Sequence, residues 1–131
     1  MEGEQRLFLG RHVERGHPDS ADRFAELQGR YTELVATEPG LLAHYSYASA
    51  GGDQVSLIHV HADAAAADAH LQLVGPMLLE HTDLFANVAV EVYGQPGPVV
   101  QGALERNLAD GVTVRVAPAA TTAFTRLVHA T

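Results

Sequence analysis

Apolar and polar positions change their period several times along the chain, and each change predicts an element. In LFLGRHV, Leu7, Leu9, Arg11 and Val13 alternate with Phe8, Gly10 and His12, a period of two that predicts a strand over Leu7–Val13. Past GHPDSAD, where Asp19 or Ser20 is placed to cap a helix, Phe24, Leu27, Tyr31, Leu34 and Val35 recur at helical spacing. They make one apolar stripe on a helix of about 17–18 residues. Glu38-Pro39-Gly40 ends it, because proline disfavours helical geometry in the residue before it and glycine frees the turn. Leu41–Ser49 and Gln54–His61 flank AGGD and read as a β-hairpin turning at Gly51-Gly52. Ala62-Asp63 opens a second helix with Asp63 as cap, and its inward stripe is Ala66, His70, Leu73, Val74, Met77 and Leu78. Gly75-Pro76 is expected to kink or break that helix. Asn87–Tyr93 alternates Val88, Val90 and Val92 against Ala89, Glu91 and Tyr93, and GQPGP closes this strand.

The order is β-α-β-β-α-β, the split βαβ of ferredoxin-like α+β folds, in which both helices cover one face of an antiparallel four-stranded sheet. Apolar residues on the other face need a cover, which predicts a homodimer packed sheet to sheet. After Gly97, VVQGALERNLAD reads as helix, and VTVRV and TAFTRLV as short strands. This tail, about residues 98–131, either extends the sheet or crosses to a partner subunit; the core of a single domain spanning 1–131 is expected over about 5–97.

Composition narrows the classes. With 131 residues, 47% hydrophobic and 18% charged, the chain has the size and balance of one soluble globular domain. No apolar run approaches the roughly 20 residues that cross a bilayer. The first fifteen residues are broken by charge and lack a secretory h-region, so a cytoplasmic location is expected. Without cysteine there are no disulfides, thiolate nucleophiles or cysteine-bound metal centres. A net charge of −8, with no lysine and dispersed arginines, argues against nucleic acid as a partner.

Imidazoles are the chemically suggestive groups, since they titrate nearest neutrality and are the commonest metal ligands. SLIHVHADAAAADAHL carries His59, His61 and His70. A two- or four-residue turn in the hairpin sets His44 opposite His59, and alternation puts His61 on the same face with Leu42, Ser46 and Leu57; a three-residue turn would separate them. Alternation does not decide whether this face meets the helices. If it does, His70 approaches the same space, as an acid/base pocket or as a three-histidine chelate. No carboxylate has the spacing of a facial triad, and Asp63 and Asp68 are near only in sequence. His12, His17, His81 and His129 read as ordinary satisfied or exposed histidines, Tyr31 as a core helix residue, and Tyr45 and Tyr47 as interface residues. Arg11 and Arg126 are expected in salt bridges, with orientation of an anionic substrate oxygen as the alternative.

EPGLLAHYSY, VSLIHVHADAAAADAHL and VAVEVYG together resemble the antibiotic biosynthesis monooxygenase (ABM) family, including quinol monooxygenases, of the dimeric α+β barrel superfamily, over about residues 5–95. Pro39-Gly40, Ala62-Asp63 and His70 match the family pattern, while His59 and His61 stand where it has a glutamate and an aromatic residue. The resemblance implies that the His59/His61 face lines a pocket between sheet and helices. It also implies oxidation of a small aromatic, phenolic or quinol-type molecule by base-assisted reaction with dioxygen, without flavin, metal or haem. On that basis His59, His61 and His70 are the catalytic candidates, and His44, Leu42, Leu57, Tyr31 and Val74 the substrate-binding ones, with no cofactor and no metal. The alternatives are a small-molecule-binding dimer without catalysis, and a haem- or metal-binding protein using His70 or His81.

Overall fold

The computed structural model describes residues 6–16 and 21–126. Its elements are β1 (Leu7–Arg15), α1 (Ala21–Val35), β2 (Leu41–Ala48), β3 (Gln54–His61), α2 (Ala64–Leu79), β4 (Phe85–Tyr93), α3 (Pro98–Ala109) and β5 (Thr113–Ala117). The strands form one sheet in the order β2-β3-β1-β4-β5, antiparallel except for the parallel β4–β5 pair. The first four strands and two helices are the ferredoxin-like α+β arrangement, and β5 extends that sheet. TAFTRLV forms no strand over its described residues 122–126, and Leu127 and Val128, like Asp19, Ser20, His17 and His129, lie outside the described residues.

One face of the sheet carries the core. Leu7 and Val13 of β1, Val55 of β3, and Val90 and Val92 of β4 are buried there against Phe24 and Leu27 of α1, Ala67 of α2, and Val100 and Leu104 of α3. The third helix is thus part of the core's cover. Its first turn borrows a cap: Gly97 offers no side chain, and Asp68 of α2 accepts the Val100 N–H at 2.8 Å. A Cβ at Gly97 would collide with that carboxylate, so glycine is what lets the two helices meet. Asp63 caps α2 as expected, accepting from Ala66 N at 2.8 Å.

Gly75-Pro76 does not break α2, which runs on to Leu79. Proline removes one backbone donor, and the carbonyl it frees, on Gln72, belongs to an exposed residue where water replaces the lost bond. The inward stripe is Ala67, His70 and Val74, with Met77 and Leu78 half-buried; Leu73 is exposed.

Two bulges displace the alternation. In β4 the register shifts between His12 and Val13, so Val13 faces Asn87, His12 faces Ala89, and Val88 is left unpaired and exposed rather than sharing the face of Val90 and Val92. In β2 the shift between Leu41 and Ala43 sets Leu41 opposite His61 and leaves Leu42 unpaired. The outer face exposes Phe8, Tyr45, Tyr47, Ile58 and Tyr93.

Candidate functional site

The hairpin turns so that Ser49 and Gln54 bond across it, and the resulting register sets His44 directly opposite His59. His59 and His61 point toward the helices and are buried, at 4% and 1% exposure. His70 comes down from α2 and Tyr31 from α1, because each sits on the inward stripe of its helix. The ring centroids of His59 lie 4.9 Å from both His44 and His70, and those of His61 and His70 are 5.0 Å apart.

A hydrogen-bonded series runs through this group. Glu38, in the turn after α1, has its Oε2 2.7 Å from Nδ1 of His70; Nε2 of His70 is 2.8 Å from the Tyr31 hydroxyl, which lies 3.3 Å from Nε2 of His59. A carboxylate only accepts, so Nδ1 of His70 donates to Glu38, which leaves Nε2 to accept from the Tyr31 hydroxyl. Burial sets the electrostatics. It pushes His59 down to about 2, helped by the neighbouring His70, and His61 down to about 4, so both rings are neutral near pH 7. Burial likewise lowers His44 and raises the Tyr31 phenol, which therefore keeps its proton.

Beside this group lies a cavity of about 70 Å³ between α1, the sheet and the end of α2. Val13, Phe24, Leu27, Leu57, Leu78 and Phe85 give it apolar walls, while Arg11, Tyr31 and His44 bring polar groups to it. At its rim Gln28 of α1 donates to Ser46 of β2 at 3.1 Å. His59, His61 and His70 are not among its lining residues, so Tyr31 is what joins the cavity to the buried imidazoles.

A metal ion would find its ligands behind that phenol. One ring nitrogen from each of His59, His61 and His70 lies within 4.8 Å of the others, and both nitrogens of His61 lack a hydrogen-bond partner. Glu38 already holds His70 in the manner of a carboxylate that orients a ligating histidine. A tetrahedral ion with nitrogens at ~2.1 Å needs them about 3.4 Å apart, so the rings would have to close by roughly an ångström and give up Tyr31.

Residues 13–75 match the antibiotic biosynthesis monooxygenase family. They resemble an ABM domain. No curated protein sequence matches the chain. Among solved structures, MupZ from Pseudomonas fluorescens aligns with a TM-score of 0.74 at 17% identity, covering 96% of this chain and 99% of that one. SnoaB from Streptomyces nogalater, a cofactor-independent oxygenase, aligns at 0.58 and 16%, covering 72% and 97%. Rv0793 from Mycobacterium tuberculosis aligns at 0.56 and 18%, covering 66% and 91%. At these identities the likeness is one of fold. MupZ differs from the other two in spanning nearly the whole chain, α3 and β5 included.

Within this fold the predicted residues separate into two groups. Tyr31, His44 and Leu57 line the cavity; His59, His61 and His70 stand behind it; Val74 is buried with Tyr31 and Val35, and neither it nor the unpaired Leu42 lines the cavity. Asp63 and Asp68 are helix caps. Glu38 was not marked by the sequence beyond ending a helix, and Tyr31 is tied to two imidazoles as well as packed in the core. His12, on the outer face, bonds Ser56 and Glu91, each at 2.8 Å. His81 contacts the Met77 carbonyl, and the exposed Arg126 stacks over Phe124 instead of forming a salt bridge with any described residue. Arg11 also departs from the expected salt bridge: its Nε donates to Asn87 Oδ1 at 2.9 Å, and no carboxylate pairs with it among the described residues.

Proposed function

We propose that this ABM-like domain is a cofactor-independent, monooxygenase-like enzyme for a small phenolic or quinol-type substrate, working as a homodimer in the cytoplasm. The observation that carries the reading is the series Glu38–His70–Tyr31 ending at an apolar cavity. A substrate hydroxyl donates to the Tyr31 oxygen while the Tyr31 O–H passes its own proton to Nε2 of His70, and Glu38 stabilises the imidazolium that results. His70 is the acceptor and His59 is not, because only His70 has a carboxylate at 2.7 Å, whereas burial holds His59 down to about 2. His59 fixes the phenol, and His61 packs the far side.

The anion left behind is electron-rich. It gives one electron to dioxygen; the radical pair combines to a peroxide, which loses water to leave a carbonyl. Overall the phenolic O–H and one ring C–H ortho or para to it, with O2, become the two C=O groups of a quinone and H2O; the substrate supplies all four electrons, so the balance closes without an external reductant. Apolar walls serve this by keeping water from the intermediates. A cavity of about 70 Å³ is well below the ~150 Å³ that takes benzene, so it suits a single ring lying partly in the mouth.

Oxygen uptake by chelator-treated protein with a panel of single-ring phenols and hydroquinones tests the reading. Turnover is expected, falling by about 10²-fold or more in Tyr31→Phe and Glu38→Gln. Uptake no greater than in those variants would leave a binding protein. The orphaned nitrogens of His61 favour a second reading, in which His59, His61 and His70 bind a divalent transition metal. Titration with Zn²⁺ separates the two: one tight equivalent, lost in His61→Leu, supports the metal centre, and oxygen uptake that survives chelation rejects it as a requirement.

A further inference from the structure

The unpaired cation at the cavity wall is used by none of these steps. Arg11 projects from β1 onto the face that carries the core, between Leu9 and Val13 along the strand and opposite Leu57 of β3, and it lines the cavity. Its position is fixed from behind. The bulge in β4 turns Asn87 inward, where its Oδ1 takes the Arg11 Nε–H at 2.9 Å; Asn87 is itself held by Asn107 of α3 at 2.9 Å, and Asn107 by the Ala103 carbonyl. The guanidinium sits over the ring of Phe85, its Cζ 5.0 Å from the ring centroid. One of five donors is thereby used. The terminal nitrogens make no hydrogen bond to any described residue.

Such an arrangement is costly unless something completes it. A guanidinium stays charged even where burial lowers its pKa, as it does here, and a cation facing apolar walls without a counterion loses hydration with no return. The sequence has sixteen acidic residues against eight basic ones, so a partner was available in composition. None of the described acids reaches Arg11, although Arg23 has Asp83 at 2.9 Å. The charge is left for something that enters the cavity.

We propose that the cavity binds an apolar carboxylate, with the two terminal nitrogens of Arg11 clamping the carboxylate end-on and the hydrocarbon body lying along Phe24, Leu27 and Leu57 toward the Gln28–Ser46 rim. A carboxylate matches the fork of a guanidinium in two parallel bonds, which neither a neutral ring nor a hydroxyl does. The assignment rests on the same cavity as the oxidation proposed above and adds the substrate's class: a hydroxylated aromatic acid, held by Arg11 at one end and by Tyr31 at the other.

Equilibrium binding tests this without turnover. Benzoate and 4-hydroxybenzoate are titrated calorimetrically into the full chain beside the isosteric benzamide and 4-hydroxybenzamide, for the unmodified protein, Arg11→Gln and Arg11→Lys. The acids are expected to bind at least tenfold more tightly than their amides. Arg11→Gln should erase that preference, and Arg11→Lys, which keeps charge but not the fork, should restore part of it. Equal affinity for acid and amide, an undiminished preference in Arg11→Gln, or no binding of either acid overturns the proposal. Should Arg11→Gln fail to fold, the ¹⁵N shift of the Arg11 side chain in the unmodified protein decides: a shift with benzoate but not with benzamide upholds it, and the same response to both rejects it. Acid binding without oxygen uptake upholds the anion site and sinks the oxidation; turnover of neutral phenols indifferent to Arg11 does the reverse.

Discussion

Protonating His59 or His61 within the fold would place a charge where almost no water reaches, so acid acts on stability through these two rings. Their folded values, about 2 and about 4, lie below the ordinary value of 6.5 that the unfolded chain regains. The unfolded state therefore binds protons first as pH falls. Stability from this source is full above about pH 6.5 and drains away toward pH 4, at up to about 1.4 kcal/mol per pH unit for each ring. Urea denaturation followed between pH 7.5 and 4.5 should give a steadily falling midpoint, and His61→Leu should flatten the slope by about half. Tyr31→Phe is expected to cost about 1–3 kcal/mol in the same assay at pH 7.5, because it strips a partner from two buried ring nitrogens at once. Much at this scale was legible: the length of one glycine turn sets His44 across from His59, and helical spacing brings Tyr31 and His70 inward. Glu38 and Arg11 were not, since their roles depend on where a turn and a bulge set them in space, which neighbouring letters do not encode.

Among the elements, α3 depends on a neighbour for its start. Asp68→Ala removes the acceptor for the Val100 N–H and should lower stability by about 1 kcal/mol, read as a reduced thermal or denaturant midpoint with the far-ultraviolet spectrum nearly unchanged. Gly97→Ala at the same junction should be worse, since the added methyl meets the carboxylate. Strand and helix periods in the sequence identified β1 to β4 and both first helices, while the turn left two hairpin registers open, of which the protein takes the one that pairs His44 with His59. What the periods missed were interruptions that cost little. Proline late in α2 frees an exposed carbonyl to water, and a single extra residue in β2 or β4 reassigns every side chain beyond it. Val88 and Leu42 were misplaced for that reason, and Asn87 gained its place beside Arg11 by it.

For the whole molecule, the sheet has one face closed by three helices and another that exposes Phe8, Tyr45, Tyr47, Ile58 and Tyr93. A second copy covering that face predicts a dimer by light scattering at micromolar concentration, and Tyr45→Asp combined with Ile58→Asp should yield a folded monomer; an unmodified protein that elutes as a monomer would refute the pairing. The apolar alternation announced this face, and the helix-then-strand pattern after Gly97 announced α3 and β5. Their docking on the same core was not readable, because it rests on contacts between Val100, Leu104 and residues far earlier in the chain.

β5 carries one further consequence. It takes the free side of β4, so the rims left to the sheet are a five-residue strand at one end and the interrupted β2 at the other. Neither offers a long, even row of backbone donors and acceptors for a stranger to zip onto. Seeded growth of fibrils from the native protein should accordingly be poor, and truncation before Thr113, by laying the nine residues of β4 bare, should open that route.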